Sequence, residues 1–340
     1  MSCIRANAPK NTVTGRPIGL FAALLLVALV GGAQGQERTP KPLSVDDAID
    51  THDFEPSTAI RVSKGGRYVA YTLTNPARIG PHDLRHNFFL ATGVSLEMQA
   101  CEVWVVDTHT GEMRNVSGGK ASSWSPSWSP DGRLLAFYSD RGGVAQLWIW
   151  DSKNNSLRRA TSAVAHAISG LDPARWTPDG KRLVVKINPE GVPLAEAFPS
   201  AAADPAQARN DSGPTAVVYS SDTIVSRTGD TSTGDTRAND PRAIAAIYVS
   251  DLAIVDLETG SVRRLVRRQP ITAYVVAPDG KYVAYSIFRG TGHADLQPRY
   301  DLAIVPVLGG ASRLIAHDVP QVYGINMSWS PNGAFLAYQL

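Results

Sequence analysis

Short apolar runs recur along this chain, each introduced by a small polar turn. "RYVAY", "RLLAFY", "KRLVV", "KYVAY" and "AFLAY" follow Gly66, Gly132, Gly180, Gly280 and Gly333. They are too short, too aromatic and too β-branched for helices, and polar residues do not alternate with apolar ones. Strands covered on both faces read this way. The glycines stand 66, 48, 100 and 53 residues apart. A period near fifty, with two intervals lengthened, is that of a supersecondary unit made of a few strands.

The turns share a grammar: Ser129-Pro130-Asp131-Gly132, Thr177-Pro178-Asp179-Gly180, Ala277-Pro278-Asp279-Gly280 and Ser330-Pro331-Asn332-Gly333. Proline presets φ, Asp or Asn caps locally, and glycine accepts a positive φ, as a tight hairpin loop requires. The first copy has Lys64-Gly65 in place of Pro-Asp and is expected to turn more loosely. The fourth residue past each glycine is Ala70, Ala136, Val184, Ala284 and Ala337, mostly small, as tight packing between sheets would demand. A second phrase follows each complete copy: "EVWVVDTHTGEMRNVS", "QLWIWDSKNNSLRRATS", "DLAIVDLETGSVRRLV" and "DLAIVPVLGGASRLIA". Each is a strand, a turn and a shorter charged strand, so two phrases make a four-stranded antiparallel meander. Repeated meanders that bury both faces against neighbours are β-propeller blades. The fold expected is all-β: blades at about 58–118, 122–162, 170–268 and 272–318, then a fifth from Gln321. That is about 4.5 blades over 58–340, an incomplete propeller, and the chain is expected to be a fragment of a longer one.

Two blades carry insertions, 75–100 and 188–242, the second rich in Ala, Ser, Thr, Gly and Asp. Such composition buries little surface, so mobile loops are expected there. Overall the chain is 43% hydrophobic and 19% charged, which excludes a disordered polymer. The formal charge is +2, and Arg5, Lys10 and Arg16 lie in the first thirty-five residues with no acid beside them. The rest is close to neutral, with no global attraction to nucleic acid or anionic membrane. Those cations precede "GLFAALLLVALV" and then "GGAQGQ". This is the pattern of a signal peptide over 1–35, cleaved near Gly35, and the apolar run is short for a membrane span. A periplasmic or secreted address follows, with no stable span after cleavage. Cys3 leaves with the signal, so Cys101 is a lone thiol, read as a small buried hydrophobe.

The phrase W-S-P-D-G-[RK]-x-[LIV]-A-[FY], paired with W-[LIV]-x-D-x-x-[TG]-G, resembles two groups of proteins over Ile60 to Leu340. One is the propeller of the prolyl oligopeptidase family of serine peptidases; the other is the TolB-like periplasmic propeller. The lead-in 36–57, "PLSVDDAIDTHDFEPSTAIRVSKGGRYVAYTL" in its wider context, is similar to the start of secreted bacterial peptidases. There Ser44 and Asp47 have the spacing of a helix cap. The peptidase resemblance implies acyl transfer by Ser, His and Asp on a C-terminal α/β-hydrolase domain, with the propeller gating small peptide substrates. The TolB-like resemblance implies a non-enzymatic scaffold that binds proteins. The nucleophile elbow G-x-S-x-G does not occur: Gly15/Gly19 and Gly31/Gly35 enclose Pro17 and Ala33. No Glu-Glu pair occurs either, which counts against a dipeptidyl specificity.

Candidate sites all have simpler explanations. His82 and His86 flank Asp83 at a spacing that could serve a metal on a helix, but Pro81 and the surrounding residues read as a surface loop. Asp230, Asp235 and Asp240 do not have the alternate spacing of a calcium loop. The basic run Arg263 to Gln269 reads as a blade's outer strand with its edge charged. Trp104, Trp128, Trp148, Trp150, Trp176 and Trp329 fall at repeat positions and read as core packing. No catalytic, cofactor-binding or metal-ligating residue is assigned, and no cofactor is called for.

Overall fold

The structure is a computed structural model that describes residues 51–79, 89–168, 172–198, 241–292, 297–321 and 326–339. Its sheets are antiparallel throughout. The first blade comprises β1 (Asp53–Phe54), β2 (Arg61–Val62), β3 (Tyr68–Thr74), β4 (Cys101–Asp107) and β5 (Met113–Asn115). β1 and β2 both pair with β3, at opposite ends, and together make a broken inner strand. The second blade is β6 (Ser123–Trp128), β7 (Leu134–Ser139), β8 (Gln146–Asp151) and β9 (Ser156–Arg159) in that order.

The third and fourth blades are joined more tightly than the repeat implies. β10 (Arg175–Trp176), β11 (Arg182–Ile187), β12 (Val249–Asp256), β13 (Val262–Val276), β14 (Tyr282–Thr291), β15 (Pro298–Pro306) and β16 (Arg313–Pro320) form one seven-stranded sheet. β13 pairs with β12 up to Pro270 and with β14 from Ile271. One strand is thus the outer edge of one blade and the inner edge of the next. "RRQPITAY" contains no turn signal, and Pro270 tolerates extended backbone, so the chain passes straight through. β17 (Met327–Trp329) and β18 (Leu336–Tyr338) add the first hairpin of a fifth blade.

The unbroken apolar runs now have their explanation. On β7, Leu135 and Phe137 join a core with Val103 and Val105 of the first blade, whereas Ala136 and Tyr138 join one with Leu183 and Val185 of the third. Val184 and Leu252 pack in turn against Val283 and Tyr285 of the fourth. The strands of the second and third blades are apolar on both faces because a neighbouring blade covers each face. Ala70, Ala136, Val184 and Ala284 are fully buried, as tight packing requires, whereas Ala337 is exposed.

The tryptophans do more than fill space. The indoles of Trp128, Trp176 and Trp329 donate to the carbonyls of Arg61 (3.0 Å), Ser127 (2.9 Å) and Val275 (3.3 Å). Each bond ties a blade's inner strand to that of the preceding blade. The fourth blade has Val276 at this position and makes no such bond, and it is already tethered through β13. The first blade has Val62 there, exposed, with no described blade behind it. The first turn is not looser than the others: the Gly66 N–H reaches the Ser63 carbonyl at 2.9 Å, as Gly132 reaches Ser129 at 2.8 Å. Gly65 has φ 82, which glycine adopts readily and which the Asp or Asn of the other turns does not take, so the same closing bond is reached through a different backbone. What is lost is the aspartate's bonding: elsewhere Asp131 Oδ1 accepts from the Ser129 hydroxyl and from the Arg133 N–H, the latter at 3.1 Å.

Candidate functional site

Strand order places all second-to-third-strand loops, and all connections between blades, at one end of the blades. Both long insertions therefore emerge on the same face. They were expected as mobile loops; within the described residues, parts of both pack together. Phe89 meets Phe198 with ring centroids 4.6 Å apart, and both are buried. Leu194, Val192, Ile168 and Ile247 close around them. The first insertion crosses the second blade on its way, with the Ala145 N–H on the Thr92 carbonyl at 2.8 Å and the Thr92 hydroxyl on Asp140 at 3.0 Å. The third-blade insertion contributes the short helices α1 (Leu194–Ala197) and α2 (Pro241–Tyr248). A few aromatic and aliphatic residues suffice to anchor segments whose average composition is polar.

Near this cluster lies a group of buried polar side chains. Lys186, on β11 inside "RLVVKI", is fully buried. Its Nζ is 2.7 Å from Asp172 Oδ2 and donates to the Ile271 carbonyl at 3.1 Å. The Tyr248 ring of α2 lies 5.9 Å from the same nitrogen. The Tyr274 hydroxyl donates to the Pro173 carbonyl at 3.0 Å. Burial raises both the Tyr274 and Tyr138 phenols well beyond their ordinary range, and Asp172 adds to the effect. These phenols stay protonated and act as hydrogen-bonding groups, not bases. The lysine is held between carboxylate, carbonyl and aromatic face, so the arrangement joins the third and fourth blades and has no free nucleophile.

His166 couples the insertions to this joint. It is fully buried, stacked on Phe198 at 4.6 Å, with Nε2 2.8 Å from the Ile247 carbonyl. Burial, with the Lys186 charge adding to it against the Ile247 bond, lowers its pKa to about 3. It is therefore neutral, and Nε2 is the protonated donor. The unfolded chain binds a proton below about pH 6.5 whereas the folded one does not until about pH 3. The stability tied to this group is complete above the upper value and lost as pH falls between the two, at ~1.4 kcal/mol per pH unit. Urea unfolding at pH 7, 5.5 and 4.5 should show a steeper loss in the parent than in His166→Gln. Parallel losses would rule out a buried neutral imidazole.

The sequence candidates fall as follows. His82, Asp83 and His86, and Asp230, Asp235 and Asp240, lie outside the described residues; among the described ones no cluster suited to a metal occurs. The basic run is the outer half of β13. Arg264 Nε meets Asp251 Oδ2 at 2.6 Å, Arg267 meets Glu190 at 2.5 Å, and Arg268 reaches the Glu190 carbonyl at 3.0 Å. The backbone there bulges, with Arg268 at φ 47 and its N–H on Asp251 Oδ1 at 2.8 Å. Asp301 repeats the device one blade on, holding the Asp318 N–H at 3.1 Å where φ is 56. Cys101 is buried, and chiefly burial pushes its thiol up to about 12, so it is inert as a nucleophile at neutral pH. Sequence reasoning missed the Lys186–Asp172 pair, though a single cation inside an apolar strand was the visible signal. It also passed over Trp124, which is fully buried.

No protein-family model matches the chain. Over 87 residues, 25% of its length, it is 37% identical to the uncharacterized peptidase YuxL of Bacillus subtilis (strain 168), a match that spans only 13% of that relative. Among solved structures it is similar to TolB from Acinetobacter baumannii, at 17% identity and a TM-score of 0.44 over 84% of this chain and 48% of that one. The propeller domain of the Trilobed protease from Pyrococcus furiosus gives 14% and 0.41, over 77% and 57% of the two chains. The acylaminoacyl peptidase of Pyrococcus horikoshii gives 16% and 0.41, over 77% and 32%. Blade architecture stands on this chain's own strand pairing, and these proteins are what it is similar to.

Proposed function

We propose that this chain is the non-catalytic, substrate-gating propeller of an exported serine peptidase of the prolyl oligopeptidase type. Catalysis would belong to a C-terminal α/β-hydrolase domain of the parent protein, acting on small peptides that reach it past the blades. The observation that carries this reading is the 37% identity to a bacterial peptidase over 87 residues. Two features of the fold agree with it. Both insertions rise from one face, where a second domain would be met, and blades pinned by indole bonds make a rigid gate. Export rests on the N-terminal cations and the short apolar run. No described helix is long and apolar enough to cross a membrane.

The reading predicts that the parent gene's full-length product is labelled by a fluorophosphonate serine trap in periplasmic or culture fractions. It also predicts that the 340-residue chain on its own is neither labelled nor hydrolytic. An unlabelled full-length product would sink the peptidase reading, and amidase activity in the pure chain would sink the non-catalytic one.

A further inference from the structure

One level of the inner strands is chemically unlike the rest. Arg61 of β2, Ser127 of β6 and Arg175 of β10 sit opposite Ala70, Ala136 and Val184, the same register position in three successive blades. The bonds from Trp128 to the Arg61 carbonyl and from Trp176 to the Ser127 carbonyl lock these strands to one another. Cation, hydroxyl and cation thus follow one another around the blades at one height. In the next two blades the position is Val275 and Ser328, so both cations are confined to this sector.

Neither guanidinium has an ion-pair or hydrogen-bond partner among the described residues, and Arg175 Nε is buried without one. Buried donors are seldom left in that condition. Asp172, the nearby carboxylate, is engaged by Lys186. Burial first, and then the like charge of Arg175, lower the Arg61 guanidinium, so each cation is exposed to the other's field. The strand between them is irregular as well. β6 slips register between Trp124 and Ser127, and Ser125 adopts φ 55, which is strained for a residue with a Cβ. Unpaired like charges beside a strained strand are costly to a fold and are characteristic of binding sites.

We propose that Arg61, Ser127 and Arg175 form a carboxylate cradle on the inner strands, and that its ligand is the C-terminal carboxylate of a peptide. A planar anion with two oxygens can take a guanidinium on each and the serine hydroxyl in addition. The cradle orients a peptide by its C-terminus, so it selects free peptides over internal segments of folded proteins. The peptide portion rests on the function proposed above; the carboxylate portion rests on the three side chains.

The test is fluorescence anisotropy of fluorescein-labelled Ala-Ala-Phe, as the free acid and as the C-terminal amide, titrated with the full chain at low salt. The acid should bind at least about tenfold more tightly than the amide, the range of a charge-assisted hydrogen bond. Arg61→Gln and Arg175→Gln should each remove most of that difference. Both variants should melt no lower than the parent, because each relieves a repulsion. Equal binding of acid and amide, no acid binding, or unchanged acid affinity in both variants overturns the proposal. Should an arginine variant fail to fold, Ser127→Ala and the acid–amide comparison on the parent chain still decide. Inorganic phosphate competing more strongly than acetate would overturn the carboxylate assignment. Fluorophosphonate labelling does not involve this cradle. Discrimination without labelling therefore refutes the peptidase and keeps the cradle, and labelling without discrimination does the reverse.

Discussion

Lys186→Met should destabilise the fold by about 3–5 kcal/mol, the range for removing one partner of a buried ion pair. Methionine matches the lysine stem in volume and leaves no large cavity, so the loss is electrostatic. Asp172, only 7% exposed in its side chain, would lose its cation and face an apolar side chain instead. The Ile271 carbonyl would lose its donor as well. Urea unfolding measures the change. The double variant Lys186→Met/Asp172→Leu should recover a large part of it, since replacing both members of such a pair is often close to neutral. A coupling near zero in that cycle would mean that water reaches the pair and that it adds nothing to the joint between the third and fourth blades.

The second large effect is expected at the turns. Gly132→Ala should cost about 3 kcal/mol, whereas Gly111→Ala should cost about 1 kcal/mol. Both glycines have positive φ, 77 and 73 degrees, so alanine meets the same backbone strain at each. They differ in surroundings. A Cβ on Gly132 would lie 2.9 Å from the Lys64 backbone nitrogen and 3.1 Å from its carbonyl oxygen, whereas around Gly111 nothing lies within 4 Å. Gly132 can yield only if the first blade's turn moves away from the second's. Equal losses at the two sites in parallel urea titrations would show that the turns do not stack tightly. A similar but softer contact recurs at Gly280, whose Cβ would lie 3.2 Å from Pro178 Cδ.

These residues show how far the sequence could be read. The repeat of glycines, the turn grammar and the apolar runs were enough for four-stranded antiparallel blades, because hairpin turns and doubly buried strands are local patterns. Trp128, Trp148, Trp150 and Trp176 were legible as core, whereas Trp104 and Trp329 join no core cluster. The indole bonds to the preceding blade were not legible, since a hydrogen bond across an interface leaves no mark in local spacing. The insertions were read as polar loops because composition averages over a segment. Phe89, Leu194, Phe198 and Ile247 are few in number and meet only in space. The shared strand β13 escaped notice because the absence of a turn between Arg268 and Tyr274 is a weaker signal than its presence.

Local chemistry in the chain determined the unit, its handful of strands and the turn that opens it, since proline, aspartate and glycine act on their own backbone. Tertiary structure alone decided which polar groups share the interior. Lys186 acquires Asp172 and Ile271, His166 is sealed under Phe198, and Arg61 and Arg175 come to one height without acids. The reason is range: a turn is made by neighbours in sequence. Desolvation and charge pairing depend instead on whatever the stacking of blades brings near.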